Sequence, residues 1–387
     1  MRLAQDMRDP AQALVLTLVL SATTSMTGCL GESRLHLAAG RRILRELGPD
    51  LRKHMRRSVE TLVRLDFDAM SVGDVNAPYE SLDLPELRYD VEAVDAILDY
   101  EQAIDCMHRM IRGCMLLDEM TPGPVRPENA VHLTATLRRW EERMAIVESG
   151  KASNLLPLSR LYAPMLMARV YHALLLITMI LARGGSEMRF DDYTDLFIRH
   201  ILLVEEMIRH SKRTARSSTM EAGLVTSLFV TGSRCRHPWV RRRAVELLHN
   251  LNRQEGLWRS DAVAAAVRKL MEIEESASPP RSSSKGAQEA KFKVGSAGSH
   301  DDFYLGEPVS ERLRREINRP WDYWSEPDAV VSSDEHWEGI IPIPEHSRFK
   351  GIQTSVVAET QRLHMSIFMD SGSDDRPLQR HEIEVPF

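Results

Sequence analysis

The chain has 387 residues, of which 43% are hydrophobic and 27% are charged, a balance that excludes collagen-like and wholly disordered proteins. Fifty Lys and Arg against 56 Asp and Glu give a net charge of -6, which excludes the overall positive field of a dedicated nucleic-acid-binding domain. Aromatic residues make up only 6% while methionine is plentiful, and this composition favours helices over β-sandwiches.

Near the N-terminus, an apolar run at residues 13–20 precedes Cys29 and loosely resembles a bacterial lipoprotein signal. Asp6 and Asp9 dilute the positive charge that such a signal needs, and the spacer before Cys29 is long and polar. We therefore expect a buried helix here. The four cysteines of the chain are too few and too scattered for a disulfide scaffold, which favours a reducing compartment.

Residues 34–70 carry apolar side chains at helical spacing, with one interruption at Gly48 and Pro49. Because proline lacks the amide proton that an interior helical position needs, we expect one helix to stop and another to start there, forming a helical hairpin. The stretch at 71–89 contains glycine, prolines and several acids, which is typical of a surface loop.

The next apolar stripe predicts one long helix that begins near Asp90 and runs to Met115. Within one helix, Cys106 and Cys114 lie about 12 Å apart, too far for a disulfide or a shared metal ion. A second amphipathic helix is predicted at 128–147, and its apolar side is formed by Leu133, Leu137, Trp140 and Met144.

Residues 155–183 are almost entirely apolar and long enough to cross a membrane. Pro164, Arg169 and His172 interrupt this run, and an arginine at the centre of a bilayer costs at least about 2.5 kcal/mol. We therefore expect no membrane partner but a helix in the middle of a bundle, with His172 as a core residue rather than a metal ligand. Further helices are predicted at 191–210, 220–230, 238–251 and 260–275.

The composition changes at Ser276. Residues 276–300 are rich in Ser, Gly, Pro and Lys, which predicts a disordered linker. Residues 301–387 are expected to form an irregular tail with a short helix at 312–318 and a hairpin of strands at 352–356 and 363–369. The predicted fold class is all-α: a multi-helix bundle or array over residues 1–275, followed by a disordered linker and a poorly structured tail.

The sequence contains one enzyme-like pattern, in which Asp191, Asp192 and Asp195 form a DDxxD string. Carboxylates at this spacing share a helical face and could hold Mg²⁺ against a diphosphate, as in isoprenoid synthases. Acidic residues are also favoured in the first turn of a helix, and no second metal-binding string follows downstream. P-loop, GxGxxG, GxSxG and HExxH motifs are absent from the sequence, so we expect no enzyme, no cofactor and no metal, with a synthase as the alternative.

Arginines are most concentrated at residues 234–243, around Pro238, which suits the first position of a helix. An apolar stripe on the same helix packs it on the bundle, and Arg243 can pair with Glu246 three residues on. The guanidinium groups are therefore expected to bind carboxylates and carbonyls of neighbouring helices. Contact with phosphate or DNA is the weaker alternative.

The run at 232–248, followed by Arg253-Gln-Glu255-Gly256-Leu-Trp258 and an acidic stretch at 271–275, resembles the closing part of the fungal-specific transcription factor domain. The order of helices over residues 10–275 is similar as well. The resemblance identifies family-signature residues with a structural or interaction role, which are Arg234, Cys235, Arg236, Pro238, Arg241, Arg243, Glu255, Gly256 and Trp258.

This resemblance implies transcription regulation in the nucleus through protein partners, either the transcription machinery or another regulator copy, with or without a small-molecule effector. The six-cysteine zinc cluster of such regulators has no match in the chain, so no direct DNA contact is expected from it. The alternatives are the isoprenoid-type synthase and a passive helical scaffold.

Overall fold

The structure is a computed structural model, in which the chain is mostly helical, and the predicted all-α class is confirmed. The predicted loop at 71–89 and the predicted linker at 276–300 lie outside the described residues, apart from their first residues, which end helices. The residues that the structure describes are 9–27, 29–71, 91–115, 127–149, 159–182, 185–211, 218–219, 223–256, 258–276, 307–324, 343–357, 362–369 and 378–386.

The N-terminal segment contains four helices, α1 (Pro10–Met26), α2 (Leu30–Glu46), α3 (Pro49–His54) and α4 (Arg56–Ser71). A small separate core forms between α1, α2 and α4, while α3 contributes no buried residue. Asp9 accepts a hydrogen bond from the Ala11 amide at the start of α1, and Pro49 starts α3 after an extended Gly48, as the sequence predicts. Leu14, Leu18, Leu44 and Leu62 are buried between these helices, so the apolar N-terminal run is a packed helix.

The long helix predicted at 90–115 is wrong as a single element. The chain instead forms α5 (Val91–Asp95) and α6 (Tyr100–Met115), separated by a turn. Asp99 Oδ1 accepts a hydrogen bond from the Gln102 amide at 2.9 Å, so it caps the start of α6. The apolar stripe continues across the break because both helices bury the same side against α7 (Pro127–Ser149).

The apolar helix α8 (Tyr162–Ala182) lies at the centre of the main core, as expected. Among the described residues it is the helix with the length and composition to cross a membrane, with a mean hydropathy of 1.9, yet 78% of that window is buried inside the protein. His172 is fully buried, stacks on Trp140 and donates a hydrogen bond from Nε2 to Glu141 at 2.8 Å. It is therefore a core residue that is hydrogen-bonded through one ring nitrogen, while Nδ1 has no partner among the described residues.

The helices after α8 close the body. A 3₁₀ helix (Glu187–Tyr193) leads into α9 (Thr194–Ser211), and short strands β1 (Ser218–Thr219), β2 (Gln254–Glu255) and β3 (Trp258–Arg259) form a small sheet. The remaining helices of this group are α10 (Leu224–Arg234), α11 (Pro238–Leu251) and α12 (Ser260–Ser276). Pro238 is the first residue of α11, and Asn252, which has positive φ, caps its C-terminal end.

The described parts of the tail pack against the helical body. Helix α13 (Val309–Asn318) includes the predicted short helix, and β4 (Phe349–Val357), β5 (Arg362–Met369) and β6 (Gln379–Pro386) form an antiparallel sheet in chain order. The first two strands are those expected from alternation, whereas β6 was not predicted. Its apolar alternation is limited to Ile383 and Val385, which follow Glu382 and Glu384, and the strand begins with polar residues. Trp321, Phe349 and Ile367 belong to the main core.

Candidate functional site

Three arginines of the predicted signature, Arg234, Arg236 and Arg241, converge where α10 meets α11. Arg234 lies in the last turn of α10, Arg236 lies in the connecting turn, and Arg241 lies in the first turns of α11. Helix α10 packs closely on α11 and α12 here, because a Cβ placed on Gly232 would lie 3.3 Å from Ala244 of α11 and 2.8 Å from Val267 of α12, which would have to shift. Arg241 Nε donates to the Gly232 carbonyl at 3.2 Å, which joins α10 and α11.

These arginines are paired with two buried glutamates, Glu187 and Glu274. Arg236 lies 2.8 Å from Glu274 and 3.3 Å from Glu187, and Arg234 lies 3.1 Å from Glu187. Arg241 forms an ion pair with Glu274 at 2.8 Å, and both of these side chains are fully buried. We call these five residues the central cluster; it connects the 3₁₀ helix, α10, α11 and α12.

The central cluster stabilises the charged form of Glu274. Burial by itself raises the pKa of this carboxyl, but Arg236 and Arg241 outweigh burial and hold the pKa below its ordinary value. Burial lowers the pKa of Arg241, while the neighbouring glutamates raise the pKa of Arg236 in spite of burial. The three arginines and two glutamates therefore form a buried ionic unit with one excess positive charge.

A short segment of the tail, residues 345–349, binds directly to the central cluster, and we call it the docking segment. The Phe349 amide donates to Glu274 Oε1 at 3.1 Å, and Arg236 Nη2 donates to the Phe349 carbonyl at 3.4 Å. The Phe349 ring is buried, with the Arg236 guanidinium 4.9 Å from its centroid. Both backbone polar groups of Phe349 are thus satisfied by the helical body.

Arg348 extends this contact to the DDxxD string. Its two terminal nitrogens donate to the two oxygens of Asp191 at 2.9 and 2.6 Å, a bidentate pair, and Nη1 also donates to the Glu187 carbonyl at 3.0 Å. The Arg348 side chain is fully buried. Asp191 therefore holds the tail on the body.

Glu345 closes the other end of the docking segment. Its carboxylate accepts hydrogen bonds from Ser186 Oγ at 2.8 Å and from the Glu187 and Met188 amides at 3.0 Å each. These amides begin the 3₁₀ helix, and together with Ser186 they outweigh partial burial and lower the pKa of Glu345.

The remaining aspartates of the DDxxD string do not complete a metal site. Asp192 is exposed on the 3₁₀ helix, and Asp195 pairs with Arg312 of α13 at 3.1 Å. Among the described residues, no group of three or more His, Cys, Asp and Glu side chains could hold a metal ion. Asp191 and Asp195 both bind arginines that come from beyond residue 300.

Trp321 is a second anchor of the tail. It is 2% exposed and contacts Trp140 and His172 edge-on, with ring centroids 5.0 and 5.5 Å apart. The Arg169 guanidinium lies 4.1 Å from the Trp321 ring, and Arg169 also pairs with Glu148 at 3.0 Å. The arginine that interrupts the apolar helix α8 thus holds the tail in place.

The other residues of the predicted signature also lie at structural positions. Arg243 pairs with Glu205 at 2.8 Å and with Glu246, so the predicted Arg243–Glu246 pair is confirmed. Glu255 accepts the Val225 amide at 2.9 Å and caps α10. Cys235 is buried, and burial raises the pKa of its thiol. Pro238 starts α11, and Gly256 has a positive φ of 54°. Trp258 packs on Phe229.

The sequence predicted that the arginines bind carboxylates, but it did not identify Glu187 and Glu274 or the docking segment. The signals that could have found them are large aromatic and arginine side chains, Trp321, Arg348 and Phe349, in an otherwise polar tail. No family model, curated protein or solved structure matches this chain. The family resemblance therefore stays a prediction.

Proposed function

We propose that this chain is the regulatory domain of a zinc-cluster type transcription regulator, acting in the nucleus through protein partners. It contains no zinc cluster among its 387 residues, so it influences transcription through proteins that it binds. The partner is a component of the transcription machinery or another regulator copy. The state of the regulatory domain is transmitted to this partner through the packing of the helical body.

The observation that carries this proposal is the position of the family-signature residues. Arg234, Arg236 and Arg241 share two glutamates, and Glu255 caps α10. Together they close a helical body, which is the role that the resemblance implies for them.

The same contacts argue against nucleic-acid binding by the arginine-rich run. A guanidinium that contacts phosphate must be accessible, whereas Arg236 and Arg241 are buried and paired with carboxylates. Removing one partner from a buried ion pair costs about 3–5 kcal/mol, so neither arginine is readily released from its glutamate. The arginines therefore support the helical body rather than a DNA surface.

The synthase alternative receives no support from the geometry. Mg²⁺ bound by a DDxxD string needs free carboxylates, whereas Asp191 is occupied by both terminal nitrogens of Arg348 and Asp195 by Arg312.

The proposal is tested by fusing residues 1–387 to the DNA-binding domain of an unrelated repressor and measuring a reporter gene. We expect reporter transcription to change relative to the DNA-binding domain alone, because a regulatory domain recruits or excludes transcription proteins. Unchanged transcription would favour the passive scaffold and contradict the proposal.

Two matched variants show whether the effect depends on the folded body. Glu274→Gln removes a buried charge from the central cluster, while Glu275→Gln removes the neighbouring charge, whose side chain is 43% exposed. We expect the first variant to weaken the reporter effect at elevated temperature and the second to retain it. Equal effects of both variants would show that the signal does not come from the folded domain.

A further inference from the structure

Ser186 places an exposed hydroxyl group at the contact between the helical body and the docking segment. It precedes the 3₁₀ helix that leads into α9, and its Oγ donates to Glu345 Oε2 at 2.8 Å. Deeper in the same contact, Arg348 and Phe349 are buried. Ser186 is therefore a nucleophilic group of this contact that an enzyme reaches from solvent.

The sequence before Ser186 has the features of a serine kinase substrate. The chain reads Arg183-Gly-Gly-Ser186. Kinases that select basic substrates bind an arginine three residues before the serine through their own carboxylates, by charge-assisted hydrogen bonds. Gly185 is exposed and has a φ of 92°, and a glycine also extends readily in the cleft of a kinase.

The cations around Ser186 are already used by other groups. Arg189, on the same 3₁₀ helix, donates to four backbone carbonyls, which are those of Ile180, Leu181, Gly185 and Ser186. Lys350 lies 3.8 Å from Glu345 and offsets one negative charge. A phosphoserine carries about −1.5 to −2 charges at pH 7, so phosphate on Ser186 adds more negative charge than Lys350 balances.

We propose that Ser186 is a phosphorylation site and that its phosphorylation releases the docking segment from the helical body. An arginine-directed serine kinase transfers the γ-phosphoryl group of ATP to Oγ. The bond between Oγ and phosphorus forms, the bond between this phosphorus and the oxygen shared with the β-phosphate breaks, ADP leaves, and the hydroxyl proton passes to solvent. The phosphoserine no longer donates to Glu345 and repels its carboxylate.

Release begins at Glu345 because this residue loses its contacts first. Its carboxylate accepts from the Glu187 and Met188 amides at 3.0 Å each, and it gives up both hydrogen bonds when it moves away from the phosphate. The pair between Arg348 and Asp191 lies further along the segment, so phosphorylation raises the population of the released tail and leaves the helices folded. This inference concerns the tail and does not depend on the proposed regulatory function.

The test is treatment of the purified full chain with ATP, Mg²⁺ and the catalytic subunit of cAMP-dependent protein kinase. Peptide mass spectrometry locates the phosphate, and limited proteolysis measures release of the tail. We expect phosphate on Ser186 and tail cleavage at least about threefold faster than in the untreated chain, because the repelled segment is open more often. Absence of phosphate from Ser186, or an unchanged cleavage rate of the phosphorylated chain, would overturn the inference.

Two variants separate this effect from phosphorylation elsewhere. Kinase treatment should leave the cleavage rate of Ser186→Ala unchanged, and an acceleration equal to that of the parent would contradict the inference by placing the effect at another residue. Glu345→Gln keeps an oxygen for the amides but removes the repelled charge, so treatment should accelerate its cleavage less than in the parent. Equal acceleration would contradict the repulsion. Tail release without any reporter effect would refute the proposed function and leave the inference intact.

Discussion

Replacing Glu274 by glutamine is the most direct perturbation of the central cluster. Glutamine keeps an oxygen that can accept the Phe349 amide at the position of Oε1, where the hydrogen bond is 3.1 Å long. What disappears is the negative charge that Arg236 and Arg241 share. The variant thus separates the charge from the shape of the side chain.

The size of the effect follows from the partners that remain. Arg236 keeps Glu187 at 3.3 Å, but Arg241 is fully buried and loses the carboxylate that lies 2.8 Å away. Removing one partner of a buried ion pair leaves an uncompensated charge and costs about 3–5 kcal/mol. The free energy of unfolding of native proteins is about 5–15 kcal/mol, so Glu274→Gln should remove a large part of the stability.

The assay is urea unfolding of the full chain, followed by helical circular dichroism. Glu275→Gln is the control, because Glu275 lies beside it in sequence and pairs with Arg242 at 3.4 Å at the surface. Exposed pairs of this kind contribute about 0–1 kcal/mol, so the control should unfold close to the parent. A loss below about 1 kcal/mol for Glu274→Gln would refute the argument that this buried charge balances the arginines.

The pH dependence of the free energy of unfolding is a second test of the charge on Glu274. Arg236 and Arg241 lower the pKa of Glu274 from its ordinary 4.5, so its stabilisation is fully present above that pH. As the pH falls through the lowered pKa, the folded protein takes up the proton and the stabilisation disappears. The difference between the parent and Glu274→Gln should therefore shrink in strongly acidic buffer. A constant difference would contradict this assignment.

Three further predictions concern the tail and the buried histidines. Arg348→Met breaks a bidentate buried pair, so limited proteolysis should cleave the tail faster than in the parent, and an unchanged cleavage rate would contradict the docking contact. Trp321→Ala removes a buried aromatic side chain and should lower the free energy of unfolding by about 3–5 kcal/mol, measured in urea, whereas an exposed tail would show almost no loss. Burial lowers the pKa of His108, His200 and His237 to about 3. Between pH 6.5 and that value only the unfolded chain takes up their protons, so the free energy of unfolding should fall as the pH drops below 6.5. Urea unfolding curves at several pH values measure this, and a stability that does not change with pH in this range would refute it.

The tail beyond residue 300 contributes to the core of the helical body. Arg348 and Asp191 are separated by 157 residues, yet they form a bidentate pair beside the central cluster. Arg169 joins the tail in a similar way, since its Nη1 donates to the Arg319 carbonyl at 3.0 Å. The described parts of the tail and the helices therefore share one core. A fragment that ends at residue 276 would leave Asp191 without Arg348 and Glu274 without the Phe349 amide, although Glu274 would keep Arg236 and Arg241.

The sequence by itself determined the local elements of this protein. Pro238 starts α11, Arg243 pairs with Glu246 three residues away, and the apolar run of α8 requires a central position, because each of these depends on neighbours within a few turns. The break before α6 was missed since the cap by Asp99 competes with an apolar stripe that continues across it.

Only the tertiary structure decided which partner each buried charge has. The sequence indicates that Arg236 and Arg241 need carboxylates, but many acids are available, and only folding brings Glu187 and Glu274 within 4 Å. The same holds for Asp191, whose spacing suits a metal ion and whose actual partner is Arg348. A charge must be paired when it is buried, and burial is set by the packing of distant segments, which no local pattern contains.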